Sequence, residues 1–488
     1  MSLDSRTAVP VKLGWIVAPA GLLAVFATCW DEAWHTDVGR DTAWAAPHLL
    51  LYGSVGLVGI GVAVWGLRVL VALRSIRSTL TEVPLLAASL GALGALIASP
   101  IDATWHEAYG RDSVLFSPPH MLVVLASTAL VLGVLAGLPT QARALRATAG
   151  VLLFANAVAV VFEYEADVPQ FTEILYLPLL LLTGLAAAWV VARAVPLRFP
   201  VTTVVIGYAA LRLVIAAGLT ALGRSTPDLP IAVLGFAAFD LPFRHTAQRV
   251  TAAATATSTL ALGASASGAA SPVTADVAVA AVPLIAVGVL TLLALERRSR
   301  TAVLPLLFLA GTAISVLPVD RASAHDPGQG EPVASSRMTA ETDAAGRVTV
   351  TVNLREHCND LDPHSVTGRR AGQTITAPLD PAGQCTFRGA LTLPEDGRWF
   401  VYSEFTHDGK AVEGWLPVEV GEPSRVQATR GLYLPAGEGA GTNATQIILG
   451  GLIYALGIGL VTVGLRATSS GRRLPARQAR DATLGFRT

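Results

Sequence analysis

Between residues 13 and 222 the chain returns again and again to apolar runs long enough to cross a bilayer. They fall at about 13–30, 46–73, 83–101, 119–138, 147–162, 174–195 and 200–222. Bilayer hydrocarbon offers no water to satisfy backbone N–H and C=O groups, so each run must become a helix, and successive helices must bundle. Firm runs return at about 274–295, 302–319 and 446–466. Residues 229–272 are weaker and read as two short or re-entrant spans. With 52% hydrophobic and 14% charged residues and a mean hydropathy of +0.54, the chain is a polytopic membrane protein. Its zero net charge points away from a nucleic-acid partner. The first run, from Leu13, is long enough to remain as an anchor, so no cleavable leader is expected at the start.

Arginines mark alternate loops: Arg74 and Arg77, Arg143 and Arg146, Arg193 and Arg198. The positive-inside rule makes these loops cytoplasmic. The segments around 31–48 and 102–120, and an acidic loop with Glu163, Glu165, Asp167 and Glu173, then fall on the outer face. Arg68 and Arg212 lie inside apolar runs, where each is expected to pair with a carboxylate or backbone carbonyls.

Those two outer segments are copies of one motif. Residues 31–48 read DEAWHTDVGRDTAWAAPH, and residues 102–120 read DATWHEAYGRDSVLFSPPH. Each carries D-x-x-W-H, then G-R-D with a hydroxyl residue, then P-H, at an offset of 71 residues. An internal duplication is the simplest account. Asp31 and His35 are four apart, so a helix puts them on one face. A helix–loop–helix hairpin can bring His48 to the same point. Asp31, His35 and His48 then form a metal-type triad suited to copper, with zinc or iron as alternatives. Asp102, His106 and His120 repeat it, with one more residue in the loop. A helix-capping or salt-bridge cluster is the competing reading, and it is the repetition that favours metal. Trp34, Arg40 and Asp41, with Trp105, Arg111 and Asp112, are expected to support the ligands; arginine stays protonated and cannot bind a cation. Asp240 and His245 are weaker ligand candidates, His245 reading as a loop residue between Arg244 and Arg249.

At these residues the chain resembles the C subunit of the particulate methane and ammonia monooxygenases, a copper membrane monooxygenase family. That subunit carries D-x-x-W-H-x-x-x-x-R-D-T-x-x-x-x-x-H, whose Asp and two His bind metal near the outer membrane face. Residues 31–48 match every named position; the second copy has Ser113 for Thr and its extra residue before His120. The resemblance covers about residues 12–140, and the family's subunit is not known to double the motif. It implies copper-dependent oxidation of a small apolar substrate by dioxygen, with electrons from a donor such as a quinol. A non-enzymatic copper-handling protein is the main alternative, and an accessory subunit whose triads only stabilise an assembly is another. With only three Met residues, a Met-lined copper(I) conduit is not expected.

After Pro318 the composition turns to Gly, Pro, Asp and Thr. Alternating runs at 348–354, 385–393, 398–406 and 413–420, with turn signals PEDG, HDGK and DPAG, read as a small antiparallel β-sandwich. Its pattern resembles the immunoglobulin-like copper-resistance and cytochrome-assembly domains of bacterial periplasms. Cys358 and Cys385 read as a disulfide if the domain is extracytoplasmic, or as a pair of thiols otherwise. Cys29 reads as inert. His325, His357, His364 and His407 are additional metal candidates, with solvated surface histidines as the alternative. Residues 297–325 resemble an internal signal peptide; cleavage after Ala324 would make His325 a copper-chelating N-terminus, as in the monooxygenase B subunit, and an uncleaved span–domain junction is the alternative.

The expected architecture is a polytopic α-helical membrane bundle (1–320), an extracytoplasmic antiparallel β-sandwich (325–440), a C-terminal transmembrane helix (446–466) and a cytoplasmic basic tail (467–488). A bacterial cytoplasmic membrane, with metal sites and sandwich on its outer face, is the expected location. The expected partners are the lipid bilayer, an electron donor and a homo- or hetero-oligomer.

Overall fold

The computed structural model describes residues 6–37, 44–109, 117–166, 173–267, 274–280, 329–370, 373–435 and 444–470. Its helices are α1 (Val11–Asp37), α2 (Ala46–Leu73), α3 (Ile76–Leu80), α4 (Val83–Tyr109), α5 (Pro118–Gly137), α6 (Arg143–Val158), α7 (Phe162–Glu165), α8 (Tyr176–Ala194), α9 (Pro200–Ala221), α10 (Thr246–Ala266), α11 (Ala275–Ala280) and α12 (Ala444–Ser470). Among the described residues, eight helical stretches are long and apolar enough to cross a membrane: α1, α2, α4, α5, α6 with α7, α8 with the 3-10 turn before it, α9 and α12. Within residues 229–267 the chain forms a 3-10 segment, Ile231–Asp240, and the 21-residue helix α10; neither is among the eight membrane-length stretches. Most of the expected 274–295 run, all of 302–319, the Ala324–His325 junction and the basic tail lie outside the described residues.

Close packing in the bundle is made by residues without side chains. A Cβ on Gly91 of α4 would lie 2.4 Å from the Leu130 nitrogen of α5, and one on Gly133 of α5 would lie 2.4 Å from the Ala88 nitrogen of α4. The two glycines let the backbones touch, which is how helices gain packing energy where lipid supplies no hydrophobic drive. The C-terminal helix α12 joins the same pair. Gly457 and Gly464 meet Leu125 and Leu132 of α5, one contact every seven residues.

Two buried arginines tie helices together. Arg146, 7% exposed, donates to the carbonyls of Leu138 and Ala194 (the latter at 2.8 Å), closing one end of the bundle. Arg212 of α9, 3% exposed, pairs with Glu165 of α7 and donates to Tyr208 Oη (3.0 Å) and the Asp228 carbonyl (2.8 Å). The carboxylate and carbonyl partners expected for it are both present. Arg68, by contrast, is exposed on α2 five residues before its end, where a long side chain can reach toward the interface. Glu163 and Glu165 of the expected acidic loop are buried, Glu165 against Arg212.

The β domain has eight antiparallel strands: β1 (Gln329–Thr342), β2 (Arg347–Leu354), β3 (Asp362–Arg370), β4 (Gln373–Gly383), β5 (Thr386–Thr392), β6 (Gly397–His407), β7 (Lys410–Val420) and β8 (Ser424–Pro435). In the order β1-β2-β5-β4-β3-β6-β7-β8 they close into a barrel, so the two faces of the expected sandwich are one continuous sheet. Closure is thin: β7 and β8 share the single pairing Glu413↔Tyr433, while β1 pairs along its length with β8 and through Ser336–Thr342 with β2. The β6–β7 hairpin turns at Asp408 (φ 50°) and Gly409 (φ 73°), the left-handed pair a two-residue hairpin requires. DPAG does not separate strands but ends β4 at a bulge. Cys358 and Cys385 are joined by a disulfide that ties the loop after β2 to the start of β5.

Strand β6 shows how the two halves meet. Trp399, Val401 and Phe405 face the barrel core, yet Phe400 and Tyr402 on the opposite face are also buried. Together with Trp415 of β7 they pack on Ala166, at the end of α7. Arg370 lies 3.6 Å from Glu173, and Arg430 of β8 donates to the Asp37 carbonyl at the end of α1 (2.7 Å). The barrel therefore stands on the same end of the bundle as the first hairpin.

Replacing Arg212 by Met strands the Glu165 charge and should cost about 3–5 kcal/mol. A marked fall in the thermal midpoint in detergent is expected, and pairing it with Glu165→Leu should recover most of the loss. Cys358→Ser with Cys385→Ser opens a cross-link of 27 residues' separation and should cost about 2–4 kcal/mol, read as the shift in urea midpoint of the β domain's tryptophan signal.

Candidate functional site

Each hairpin starts its second helix in the same way. In α2 the first three helical residues are Ala46, Pro47 and His48; in α5 they are Pro118, Pro119 and His120. Proline suits the first turn, where its missing N–H costs nothing. Ser117 caps α5 by accepting the backbone N–H of His120 (3.4 Å). Both histidines thus occupy the third helical position.

This register brings each histidine to its aspartate. His48 Nε2 lies 3.0 Å from Asp31 Oδ1, and His120 Nε2 lies 3.3 Å from Asp102 Oδ1. The first pair is 18% and 20% exposed and the second 27% and 27%, so the two copies repeat in burial as well as in distance. Both separations lie within ion-pair distance. Asp31 Oδ1 is buried and accepts no well-aligned hydrogen bond from the described residues. Each hairpin thus sets one imidazole against one carboxylate across its two helices. His35 and His106 lie one turn along α1 and α4 from Asp31 and Asp102, but their side chains are outside the described residues. Among the described residues no three metal-binding side chains converge.

The surroundings differ between copies. Trp34 lies under the Arg224 guanidinium, 4.7 Å from its ring centre, and Asp37 accepts the backbone N–H of Ser225 (2.7 Å), so the 222–230 loop folds over the first hairpin. Trp105 is 6% exposed; with Pro118 it packs where α12 presents Gly450. Arg40, Asp41, Arg111, Asp112 and His325 lie outside the described residues.

A cavity of about 280 Å³ runs between α1, α2, α5, α6 and α9. Its walls are mainly Val, Leu, Ala and Gly, from Val9 and Leu138 at one end to Asp31, Glu32, His120 and Arg212 at the other. Asp31 from the first copy and His120 from the second therefore line one space, which no reading of separate hairpins suggested. Glu32 was missed because the second copy has Ala103 in its place. Asn156, a polar residue inside an apolar run, was the one local hint that α6 faces a cavity.

The remaining candidates are dispersed. Asp240 caps α9 by accepting the Thr202 N–H (2.7 Å), and His245 is exposed before α10. Neither joins the hairpins. In the β domain His357 Nδ1 lies 3.3 Å from Asp360 Oδ2, and His407 Nδ1 lies 3.1 Å from the Asp360 carbonyl. His364 is exposed at a bulge in β3. Cys29 is buried and free, without a second thiol beside it. Compared with known proteins, the chain matches no family model, no curated protein and no solved structure.

Proposed function

We propose that this is a copper-binding integral membrane protein that oxidises a small apolar substrate with dioxygen. The reading is carried by one observation: the Asp–His pairing recurs in both hairpins, and Asp31 and His120 line the same apolar cavity. Asp31, His35 and His48 would hold one ion, and Asp102, His106 and His120 another, with zinc or iron as the other metals of this donor set. Bound there, copper would supply the redox chemistry that side chains lack. The chain's own part is to hold the ligands, admit an apolar molecule and keep water from it. Trp34 and Trp105 shield the aspartate ends of α1 and α4; Arg40, Asp41, Arg111 and Asp112 are assigned to hold the ligands in place. Electrons would come from a donor such as a quinol, and assembly with other copies or subunits is part of the reading.

A second reading, copper capture and delivery without turnover, draws on the β domain. His357 and His407 meet at Asp360, and the barrel stands beside the first hairpin. His325, His357, His364 and His407 would then take up copper and pass it to the membrane sites. Both readings place the barrel and the hairpins outside a bacterial cytoplasmic membrane. The disulfide supports that side, since such bonds persist in oxidising compartments.

Metal analysis of the purified protein separates the readings. His48→Ala and His120→Ala, like His35→Ala and His106→Ala, should each lose about one equivalent of copper if the sites are independent. Full metal content in a His48→Ala, His120→Ala double variant would remove the metal assignment. Copper retained by wild type with no substrate-dependent oxygen uptake would favour delivery over oxidation. Topology is tested by single cysteines at Gly39 and at Gly409, the exposed β6–β7 turn, in a chain whose native cysteines are replaced. Both should react with an impermeant thiol reagent in intact cells; reaction at only one would refute the shared compartment.

A further inference from the structure

The cavity is long and narrow. Leu13 and Asp31 both line it, and eighteen residues of helix separate them, a length of about 27 Å. A volume of about 280 Å³ spread over that length makes a slot, not a chamber. Glycines set its width. A Cβ on Gly61 of α2 would lie 2.4 Å from Val17 of α1, and one on Gly21 of α1 would lie 2.7 Å from Leu152 of α6. The helices are thus held too close for a bulky ring system to lie between them.

The two ends differ in chemistry. At the inner end Val9, Leu138 and Leu145 are apolar. At the other end stand Asp31, Glu32, His120 and Asn156. Arg212 also reaches this end, but its charge is taken by Glu165. The carboxylates of Asp31 and Glu32 accept hydrogen bonds and repel an anion. A ligand that fits is therefore linear, apolar along most of its length, and ends in a hydrogen-bond donor without negative charge.

We infer that the slot binds one linear alkyl chain with a terminal hydroxyl, lying along α1 with the hydroxyl at Asp31 and His120 and the tail at Leu138 and Leu145. The inference rests on the proposed function only in treating Asp31 and His120 as the reacting end. The binding itself needs no metal. It narrows the apolar substrate to chain-shaped molecules, and it places the carbon nearest the hydroxyl against the ligands.

Photolabelling of the full-length protein in detergent tests this. The probes are long-chain primary alcohols with a diazirine either near the hydroxyl or at the tail. The first should label residues near His120 and Val124, and the second residues near Leu138 and Leu145. Excess unlabelled long-chain alcohol should suppress both, and pentanol neither. Val131→Trp, which fills the slot midway, should cut deep labelling about tenfold, the effect of overpacking a filled space, and leave labelling near the hydroxyl intact. Val55→Trp, on the facing helix, serves as a second block, and retained labelling near His120 shows that either variant is folded. Labelling confined to the outward residues Ile60 and Leu67, or deep labelling unchanged in both variants, would overturn the inference. So would equal labelling by the matching fatty acid, or slot labelling by a diacyl phosphatidylcholine probe, which would make the occupant a resident lipid. Metal content measured on the same samples keeps the two ideas apart: slot labelling in a metal-free protein sinks the proposed function and leaves the slot standing.

Discussion

An arginine in the apolar interior of a membrane protein must be paired, and the pairing of Arg212 organises much of this one. Glu165 and the Asp228 carbonyl bind it from two different segments, so α7, α9 and the 222–230 loop are fixed to one point. From that point the loop runs to Ser225 on Asp37, and Arg224 lies over Trp34. Just past α7, Ala166 receives Phe400, Tyr402 and Trp415. The barrel's footing and the cover of the first hairpin both descend from one buried ion pair. It also neutralises the one arginine that lines the cavity among the described residues, leaving that end to Asp31, Glu32, His120 and Asn156.

What the sequence could show follows from the range of the forces involved. Spans were legible because bilayer burial acts on each run separately, and residues 46–73 were read with the same bounds that α2 has. The Asp31–His48 and Asp102–His120 pairings were legible because repetition supplied a second observation. Strands β2, β5 and β7 were legible by alternation, and β6 by its run of aromatic and β-branched residues between turn signals. Strands β1, β3, β4 and β8 were not: β1 reads QGEPVASSRMTAET, and its inward Met338 and Ala340 are hidden among polar neighbours. Barrel closure depends on which of those strands pair, so it was hidden with them.

The cavity and the docking of the barrel belong to another class. Helices α1, α2, α5, α6, α7 and α9 all line the cavity, and no single helix bears its signature. Arg430 and Asp37 are 393 residues apart. One trace of docking did exist: in RWFVYSEF the apolar residues do not alternate, as expected of a strand with both faces covered. The missing knowledge was what covered the second face.

The two hairpins share a motif and differ in what lies over them. The first is roofed by the 222–230 loop and by Arg430 of the barrel; the second is walled by α12 through Gly450. Gene duplication leaves twin copies under the same selection, so that one is spare. Here a change in the barrel reaches one twin, and a change in α12 reaches the other. Each copy has its own handle on which natural selection can pull. The later history of the duplication is therefore written less in the repeated motif than in the unrelated segments that came to rest on it.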